Sequence, residues 1–189
     1  HDKILEIIRL KDQVPISLDV QKTALVVIDM QRYFVSPHFS LMRTFEKLAP
    51  GVTAGYCERV NSQVIPSINR LQACFRAVRS PVIYTAIGCC LPGGEDLNQM
   101  WKDLDRLSLE TIGQRMFPLV GEESWQIDDS VAPLPGEFVL NKTSSGALNS
   151  TMLDQTLRNM GIQSLVMCGV TTDVCVETTA RDAADRGFQ

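Results

Sequence analysis

Three side chains of the sequence could together carry out nucleophilic chemistry: a thiol, a carboxylate and an ammonium group. The thiol is Cys175, in the segment Gly169-Val-Thr-Thr-Asp-Val-Cys175, where a helix is predicted to begin near Asp173. Backbone N–H groups in the first turn of a helix stabilise a thiolate and can hold an oxyanion. We therefore expect the pKa of this thiol to lie below its usual value of about 8.5. The alternative is a buried structural cysteine.

Asp29 and Lys142 could activate that thiol. Asp29 directly follows an apolar segment and could act as a general base. Lys142 follows the segment that contains Phe138–Leu140, and a cation there could keep Asp29 ionised and favour the thiolate. Unless His38 is the base, an Asp–Lys pair is the available substitute for a Cys–His pair. The alternatives are that Asp29 caps a loop or pairs with a lysine, and that Lys142 is a solvated surface residue.

The elements that must position these groups form an alternating pattern. Four short apolar runs rich in β-branched residues are typical of buried parallel strands, and helical patterns separate them. This alternation predicts an α/β protein with a three-layer α/β/α Rossmann-like fold and a mostly parallel sheet. Such sheets bind ligands at the carboxyl ends of their strands, where all three groups are expected. The four runs are Thr23–Ile28, Pro81–Thr85, Phe138–Leu140 and Ser164–Cys168.

Residues 1–189 are expected to form a single domain, with residues 1–20 as an N-terminal extension. An amphipathic helix at Lys3–Leu10 could use Ile4, Leu5, Ile8 and Leu10 to cover a neighbouring subunit.

An α/β unit normally returns to the sheet after a helix, so we expect the chain to lack the usual C-terminal strand and helix of the fold. The other predicted helices are Tyr56–Val78, which Pro66 should kink or start afresh, Thr151–Met160 capped by Asn149 or Ser150, and a helix from Asp173 to Gly187.

Composition excludes several classes of protein. The net charge is −4, with mixed signs along the chain, whereas nucleic acid favours a basic patch. No apolar run approaches the roughly 18 residues that cross a bilayer. The six cysteines are irregularly spaced and predict free thiols in a cytoplasmic protein. Two histidines and the absence of Cys-x-x-Cys predict no metal site, and no cofactor is expected.

Four segments of the sequence resemble the isochorismatase-like cysteine hydrolases, a family that includes nicotinamidases and the N-carbamoylsarcosine, ureidoacrylate and biuret amidohydrolases. The resemblance runs from about Thr23 to Gln189, and the block around Cys175 is its most specific part. It is carried by Ala24-Leu-Val-Val-Ile-Asp-Met-Gln31 with Phe34, by Pro81-Val-Ile-Tyr-Thr85, by Pro135-Gly-Glu137 before Lys142, and by Cys168-Gly-Val-Thr-Thr-Asp-Val-Cys-Val176.

The resemblance implies a role for each residue of the site. Asp29 takes the proton of Cys175, and Lys142 stabilises the charges and orients the pair. Cys175 then attacks a carbonyl carbon, forms a thioester-like intermediate and releases ammonia or an amine. The resemblance also implies that the backbone N–H groups of Thr171 and Cys175 hold the oxyanion, and that the peptide bond between Val170 and Thr171 is cis.

Four residues are expected to contact the substrate. Phe34 matches a substrate-facing aromatic residue of the family. Gln31 could hydrogen-bond the substrate or only stabilise its loop. Trp101 could pack over the site or merely anchor the loop that precedes it. Thr172 could contact the ligand, or its hydroxyl could cap the following helix.

Differences from particular family members narrow the expected reaction. Nicotinamidases bind a metal through an aspartate and histidines after the second strand, and the segment from Ala86 to Asp96 has no histidine. Isochorismatases proper lack the cysteine nucleophile. We therefore expect a metal-free hydrolase acting on a C–N bond of a small amide, carbamoyl or ureido compound, and by family analogy a homo-oligomer, either dimer or tetramer. The alternatives are an isochorismatase-type vinyl-ether hydrolase and a non-catalytic binding protein on the same fold.

Overall fold

The computed structural model of the chain describes residues 2–10 and 17–189. Its centre is a four-stranded sheet in which all the described strands run parallel. Helices flank this sheet, so the expected parallel α/β fold is confirmed. The strands are β1 (Thr23–Ile28), β2 (Val82–Ile87), β3 (Phe138–Lys142) and β4 (Ser164–Gly169), in the spatial order β3-β2-β1-β4.

The two central strands, β1 and β2, are buried along their whole length. Strands covered on both faces read as continuous apolar runs, and this is the pattern that identified them in the sequence. Ile28 at the end of β1 pairs with Thr85 and with Gly169, and Ile87 pairs with Lys142. This register brings the ends of β1, β3 and β4 to one edge of the sheet, where a ligand site is expected.

Nine α-helices lie within the described residues. Segments with π-helical hydrogen bonding join α4 to α5 (Val60–Val64) and precede α9 (Thr172–Val176). The helices are α1 (Asp2–Leu10), α2 (Arg32–Val35), α3 (Ser40–Leu48), α4 (Ala54–Arg59), α5 (Ile65–Ala77), α6 (Gln99–Ile112), α7 (Ala147–Ser150), α8 (Leu153–Asn159) and α9 (Glu177–Asp185).

The long helix predicted over Tyr56–Val78 is present, but it is interrupted. Its first part is α4, and after the π-helical segment it continues as α5, which packs against β1 and β2. Pro66 is the second residue of α5. Proline has no N–H to donate there, so the change of hydrogen-bonding pattern just before it agrees with the expected interruption.

The cap predicted for the helix at Thr151–Met160 is wrong. Asn149 and Ser150 do not cap it, because both lie in or at the end of the short helix α7. The hydroxyl of Thr151 instead accepts a hydrogen bond from the N–H of Leu153, the first residue of α8, at 2.9 Å. Gly161 follows α8 with a φ of 70°, the left-handed conformation that ends many helices.

The expected N-terminal helix is present as α1. Ile4, Leu5 and Ile7 are exposed on it, whereas the side chains of Ile8 and Leu10 lie outside the described residues. Among the helices of residues 2–10 and 17–189, none combines the length and the apolar character that a membrane span requires.

Candidate active site

The structure brings Asp29, Lys142 and Cys175 together at the carboxyl edge of the sheet. The Nζ atom of Lys142 lies 2.8 Å from Oδ2 of Asp29 and donates to Sγ of Cys175 at 3.4 Å. Asp29 and Lys142 are each 0% exposed, and Cys175 is 1% exposed. A thiol, a carboxylate and an ammonium group from three separate strand ends therefore share one enclosed site.

The carboxylate of Asp29 is held in a fixed orientation. Its backbone has a φ of 51°, which non-glycine residues seldom adopt and which is often associated with function. The hydroxyl of Thr85 donates to Oδ1 at 2.8 Å. Oδ2 accepts no well-directed hydrogen bond from the described residues, although it faces the ammonium group of Lys142. One oxygen is thus anchored, and the other keeps a lone pair that can take a proton.

The ammonium group of Lys142 has three polar partners, two through hydrogen bonds and one through an ion pair. Besides Asp29 and Cys175, it approaches the backbone carbonyl oxygen of Ser144, to which it donates at 3.0 Å. A buried ammonium group is tolerated only when it is paired and hydrogen-bonded in this way. These three contacts also prevent the group from turning away from the thiol.

The surroundings of Cys175 disfavour the thiolate form of its side chain. Burial raises its pKa to about 12, the charge of Asp29 raises it further, and Lys142 lowers it only in part. The expectation of a lowered pKa is therefore wrong. The helix terminus is a local influence of the backbone, whereas desolvation by the surrounding fold disfavours the charged form more strongly. A base must remove the thiol proton before the sulfur can act as a nucleophile.

The segment that joins β4 to the π-helical turn contains a cis peptide bond between Val170 and Thr171. Within the described residues, the N–H of Thr171 donates no hydrogen bond to another backbone group, while its carbonyl accepts from Val174 and Val176. Gly169 has a φ of 129°, and a Cβ there would overlap the carbonyl oxygen of Ile28. The N–H of Thr171 is thus free of a backbone acceptor among the described residues, and the segment requires glycine at its start.

Gln31 stabilises its loop, and the predicted contact with the substrate is not supported. Its amide nitrogen donates to the carbonyl oxygens of Ile87 at 3.1 Å and Trp125 at 2.7 Å. Its amide oxygen accepts from the N–H of Ile87 at 2.7 Å. Both amide hydrogens are therefore occupied, and the side chain is fully buried. The loop after β1 is tied to the end of β2 by this residue.

Trp101 anchors α6 rather than closing the site. Its ring is buried and meets the ring of Phe117 edge-on, with the centroids 4.9 Å apart. The backbone N–H of Trp101 donates to the side chain of Asn98, the N-cap residue of α6. Of the two interpretations left open by the sequence, the structure favours the anchor.

Phe34 and Thr172 differ in their environments. Phe34 is buried against Tyr33, with ring centroids 4.4 Å apart. Burial raises the pKa of Tyr33 well above its usual value, and the negative charge of Asp29 raises it further. Thr172 is exposed. The prediction that its hydroxyl caps the following helix is wrong, because the residue at the cap position is Thr171. The side chain of Thr171 makes no capping hydrogen bond either.

Sequence reasoning missed Thr85, whose hydroxyl donates a hydrogen bond to the carboxylate of Asp29. Threonine is common in strands, so its presence at the end of the predicted strand carried no special signal. All six cysteines are free thiols. Within residues 2–10 and 17–189, no group of three His, Cys, Asp or Glu side chains could hold a metal ion.

The structure is thus a parallel α/β protein with a carboxylate, an ammonium group and a thiol clustered at the carboxyl edge of its sheet. The Isochorismatase domain model matches residues 23–189, and the chain belongs to this family.

Known relatives of the chain include enzymes of C–N bond hydrolysis. The ureidoacrylate amidohydrolase RutB of Methylobacterium radiotolerans is 31% identical over 180 residues, which cover 92% of this chain and 66% of that protein. The chain thus spans about two thirds of the length of this relative. A cysteine hydrolase from Pseudomonas syringae pv. phaseolicola has the same fold, with a TM-score of 0.71, 22% identity, and coverage of 93% of this chain and 72% of that one. An N-carbamoylsarcosine amidase from Thermoplasma acidophilum also shares the fold, with a TM-score of 0.62, 24% identity, and coverage of 89% and 79%.

Proposed function

We propose that this protein is a cysteine-dependent hydrolase that cleaves the C–N bond of a small amide, carbamoyl or ureido compound and releases ammonia or an amine. The observation that carries the proposal is the position of the Lys142 ammonium group, 2.8 Å from the Asp29 carboxylate and 3.4 Å from the Cys175 sulfur. The amidohydrolase relatives support the same reaction class.

The first half of the reaction forms a covalent intermediate. Oδ2 of Asp29 takes the proton from the Cys175 sulfur as the sulfur attacks the substrate carbonyl carbon. Lys142 stabilises the negative charge on the sulfur during this transfer. The backbone N–H groups of Thr171 and Cys175 hold the oxyanion of the tetrahedral intermediate. Asp29 returns the proton to the leaving nitrogen, the C–N bond breaks, and a thioester remains on Cys175.

The second half of the reaction regenerates the thiol. Water gives a proton to Asp29 and attacks the thioester carbonyl carbon, and the same two N–H groups hold the second oxyanion. The C–S bond then breaks, the carboxylic or carbamic acid leaves, and the sulfur takes the proton back from Asp29.

Removal of the sulfur tests the proposal. We expect the protein to release ammonia or an amine from at least one member of a panel of amides, ureides and carbamoyl amino acids. Cys175→Ala should lower kcat on that compound by at least about 1,000-fold, because the covalent step is lost. The matched control is Cys168→Ala, which removes a half-buried thiol from β4 outside the site.

Ammonia release by Cys175→Ala at the wild-type rate would refute the assignment of the nucleophile. Failure of the folded wild-type protein to hydrolyse any member of the panel would refute the reaction class. Circular dichroism of each variant establishes that a loss of turnover does not reflect a loss of fold.

A homo-oligomer and a cytoplasmic location, both expected from the sequence, stay predictions. The exposed apolar residues Ile4, Leu5 and Ile7 on α1 support an interface on that helix. Sedimentation of the protein measures the oligomeric state.

A further inference from the structure

Thr85 places a hydroxyl group in the buried interior of the central strand β2, near the carboxyl end of that strand. Every residue of β2 is buried, and Thr85 is 0% exposed. Valine has the same branched shape and is as well suited to a strand, so the fold by itself does not require a hydroxyl at this position. A buried hydroxyl is costly unless it is hydrogen-bonded. The acceptor of the Thr85 hydroxyl therefore indicates what this residue contributes.

That acceptor is the carboxylate of the proposed base. The Thr85 hydroxyl donates to Oδ1 of Asp29 at 2.8 Å, and an ionised carboxylate can only accept hydrogen bonds, so the direction of this one is fixed. The backbone carbonyl oxygen of Thr85 also accepts from the N–H of Asp29 at 3.1 Å, beside the pairing of Thr85 with Ile28. One residue of β2 thus holds both the backbone and the side chain of Asp29.

The two oxygens of the Asp29 carboxylate have different partners. Oδ1 accepts from Thr85, whereas Oδ2 lies 2.8 Å from Nζ of Lys142. The same Nζ atom donates to the sulfur of Cys175 at 3.4 Å. The last torsion of an aspartate side chain is broad and roughly two-fold, so nothing within the side chain keeps its oxygens in place. The Thr85 hydroxyl, carried by a stiff β-branched residue in a buried strand, opposes that rotation.

We propose that Thr85 is a positioning residue of the hydrolase, which selects Oδ2 of Asp29 as the oxygen that exchanges protons with Cys175 and with the attacking water. This inference rests on the proposed function of the site. The hydroxyl keeps Oδ1 turned towards β2, so Oδ2 stays beside the ammonium group of Lys142 in both halves of the reaction. Because the hydroxyl acts on the base and not on the substrate, its loss slows the chemical steps and leaves substrate binding unchanged.

Thr85→Val tests this role, because it removes the hydroxyl and nearly keeps the shape of the side chain. The substrate is the member of the panel of amides, ureides and carbamoyl amino acids that the wild type hydrolyses fastest. We expect kcat to fall about 10- to 100-fold, since proton transfer depends on the alignment of the base, and KM to stay within about twofold of wild type.

Thr23→Val is the matched control. It removes another buried hydroxyl from a central strand, one that donates to the carbonyl oxygen of Asp19 at 2.7 Å. Thr23 is the first residue of β1, at the end of the strand opposite to Asp29. The control should therefore leave both kcat and KM unchanged.

Thr85→Ser separates a positioning role from a purely structural one. Serine keeps the donor but loses a buried methyl group, so Tm should fall while kcat stays within about threefold of wild type. Thermal unfolding followed by circular dichroism measures Tm, and activities are compared at a temperature where every variant is folded. A purely structural residue would give variants whose folded forms all turn over at the wild-type rate, whatever their Tm.

The outcomes separate this inference from the proposed function. If hydrolysis requires Cys175 but Thr85→Val keeps the wild-type kcat, or if Thr85→Ser loses as much kcat as Thr85→Val, the positioning role is overturned. A Thr85→Val variant with a raised KM and an unchanged kcat overturns it as well, because the hydroxyl would then act on the substrate. If Cys175→Ala hydrolyses the same compound as fast as the wild type, or if the folded wild type hydrolyses no member of the panel, the proposed function is overturned and this inference with it.

Discussion

Replacement of Lys142 by methionine should leave the Asp29 carboxylate buried without a charged partner. Both groups are 0% exposed, and their charged atoms are 2.8 Å apart. Removal of one partner from such a buried pair typically costs about 3–5 kcal/mol, because the remaining charge keeps its desolvation penalty and loses its compensation. The Ser144 carbonyl oxygen also loses a hydrogen bond. We therefore expect the free energy of unfolding of Lys142→Met to fall by about 3–5 kcal/mol at pH 7.

The double variant Asp29→Asn/Lys142→Met removes both charges at once. Replacement of a buried ion pair by uncharged groups is often close to neutral, so we expect the double variant to recover most of the loss, to within about 2 kcal/mol of wild type. The hydroxyl of Thr85 can still donate to the side-chain oxygen of the new asparagine. Turnover should be absent in both variants, because the single variant lacks the ammonium group that stabilises the thiolate and the double variant lacks the base as well.

Urea titration followed by circular dichroism measures these free energies. The control is Lys47→Met, at an exposed position on α3, which should change stability by less than about 0.5 kcal/mol. A loss below about 1 kcal/mol in Lys142→Met would refute the argument that the pair is buried and mutually dependent. Equal destabilisation of the single and double variants would refute it as well.

Two further predictions concern the thiol and the loop before it. Because burial raises the pKa of Cys175 to about 12, its alkylation by iodoacetamide should be slow at pH 7 and rise about tenfold per pH unit towards pH 11. Asp29→Asn removes a negative charge that raises this pKa, so it should speed the alkylation of Cys175 while abolishing turnover. Peptide mass mapping measures the alkylation rates. A rate that does not depend on pH would contradict the account. Gly169→Ala should lower the free energy of unfolding by at least about 2 kcal/mol, because φ is 129° and the new Cβ meets Ile28. The control is Gly55→Ala, whose Cβ has no neighbour within 4 Å; it should leave the free energy of unfolding unchanged or raise it slightly in the same urea titration. Equal stabilities of the Gly169→Ala and Gly55→Ala variants would contradict the prediction.

The main features of the site could be predicted because they follow from a rule about parallel sheets. The apolar runs identified all four strands, and the carboxyl ends of parallel strands meet at one edge. Asp29 and Lys142 come directly at such ends, and Cys175 follows the last strand by a short turn. Local sequence order was therefore enough to expect that these groups converge.

Features that depend on tertiary contacts could not be predicted in the same way. The hydrogen bonds of Thr85 to Asp29 and of Gln31 to Ile87 form only because β1 pairs with β2 in the folded sheet. The pKa of Cys175 rises because the whole fold excludes water from it, a property that no segment near residue 175 contains. The predicted cap of α8 was wrong for a local reason, because Asn149 lies within α7 and accepts a hydrogen bond from the hydroxyl of Ser144.

Intact-protein and peptide mass spectrometry of the protein, acid-quenched during turnover of an amide, tests most directly whether Cys175 is the nucleophile. The account predicts a mass increase equal to the substrate acyl group, located on the peptide that contains Cys175 and absent from Cys175→Ala. Turnover without any acyl group on Cys175, or with the acyl group on another cysteine such as the exposed Cys90, would contradict it.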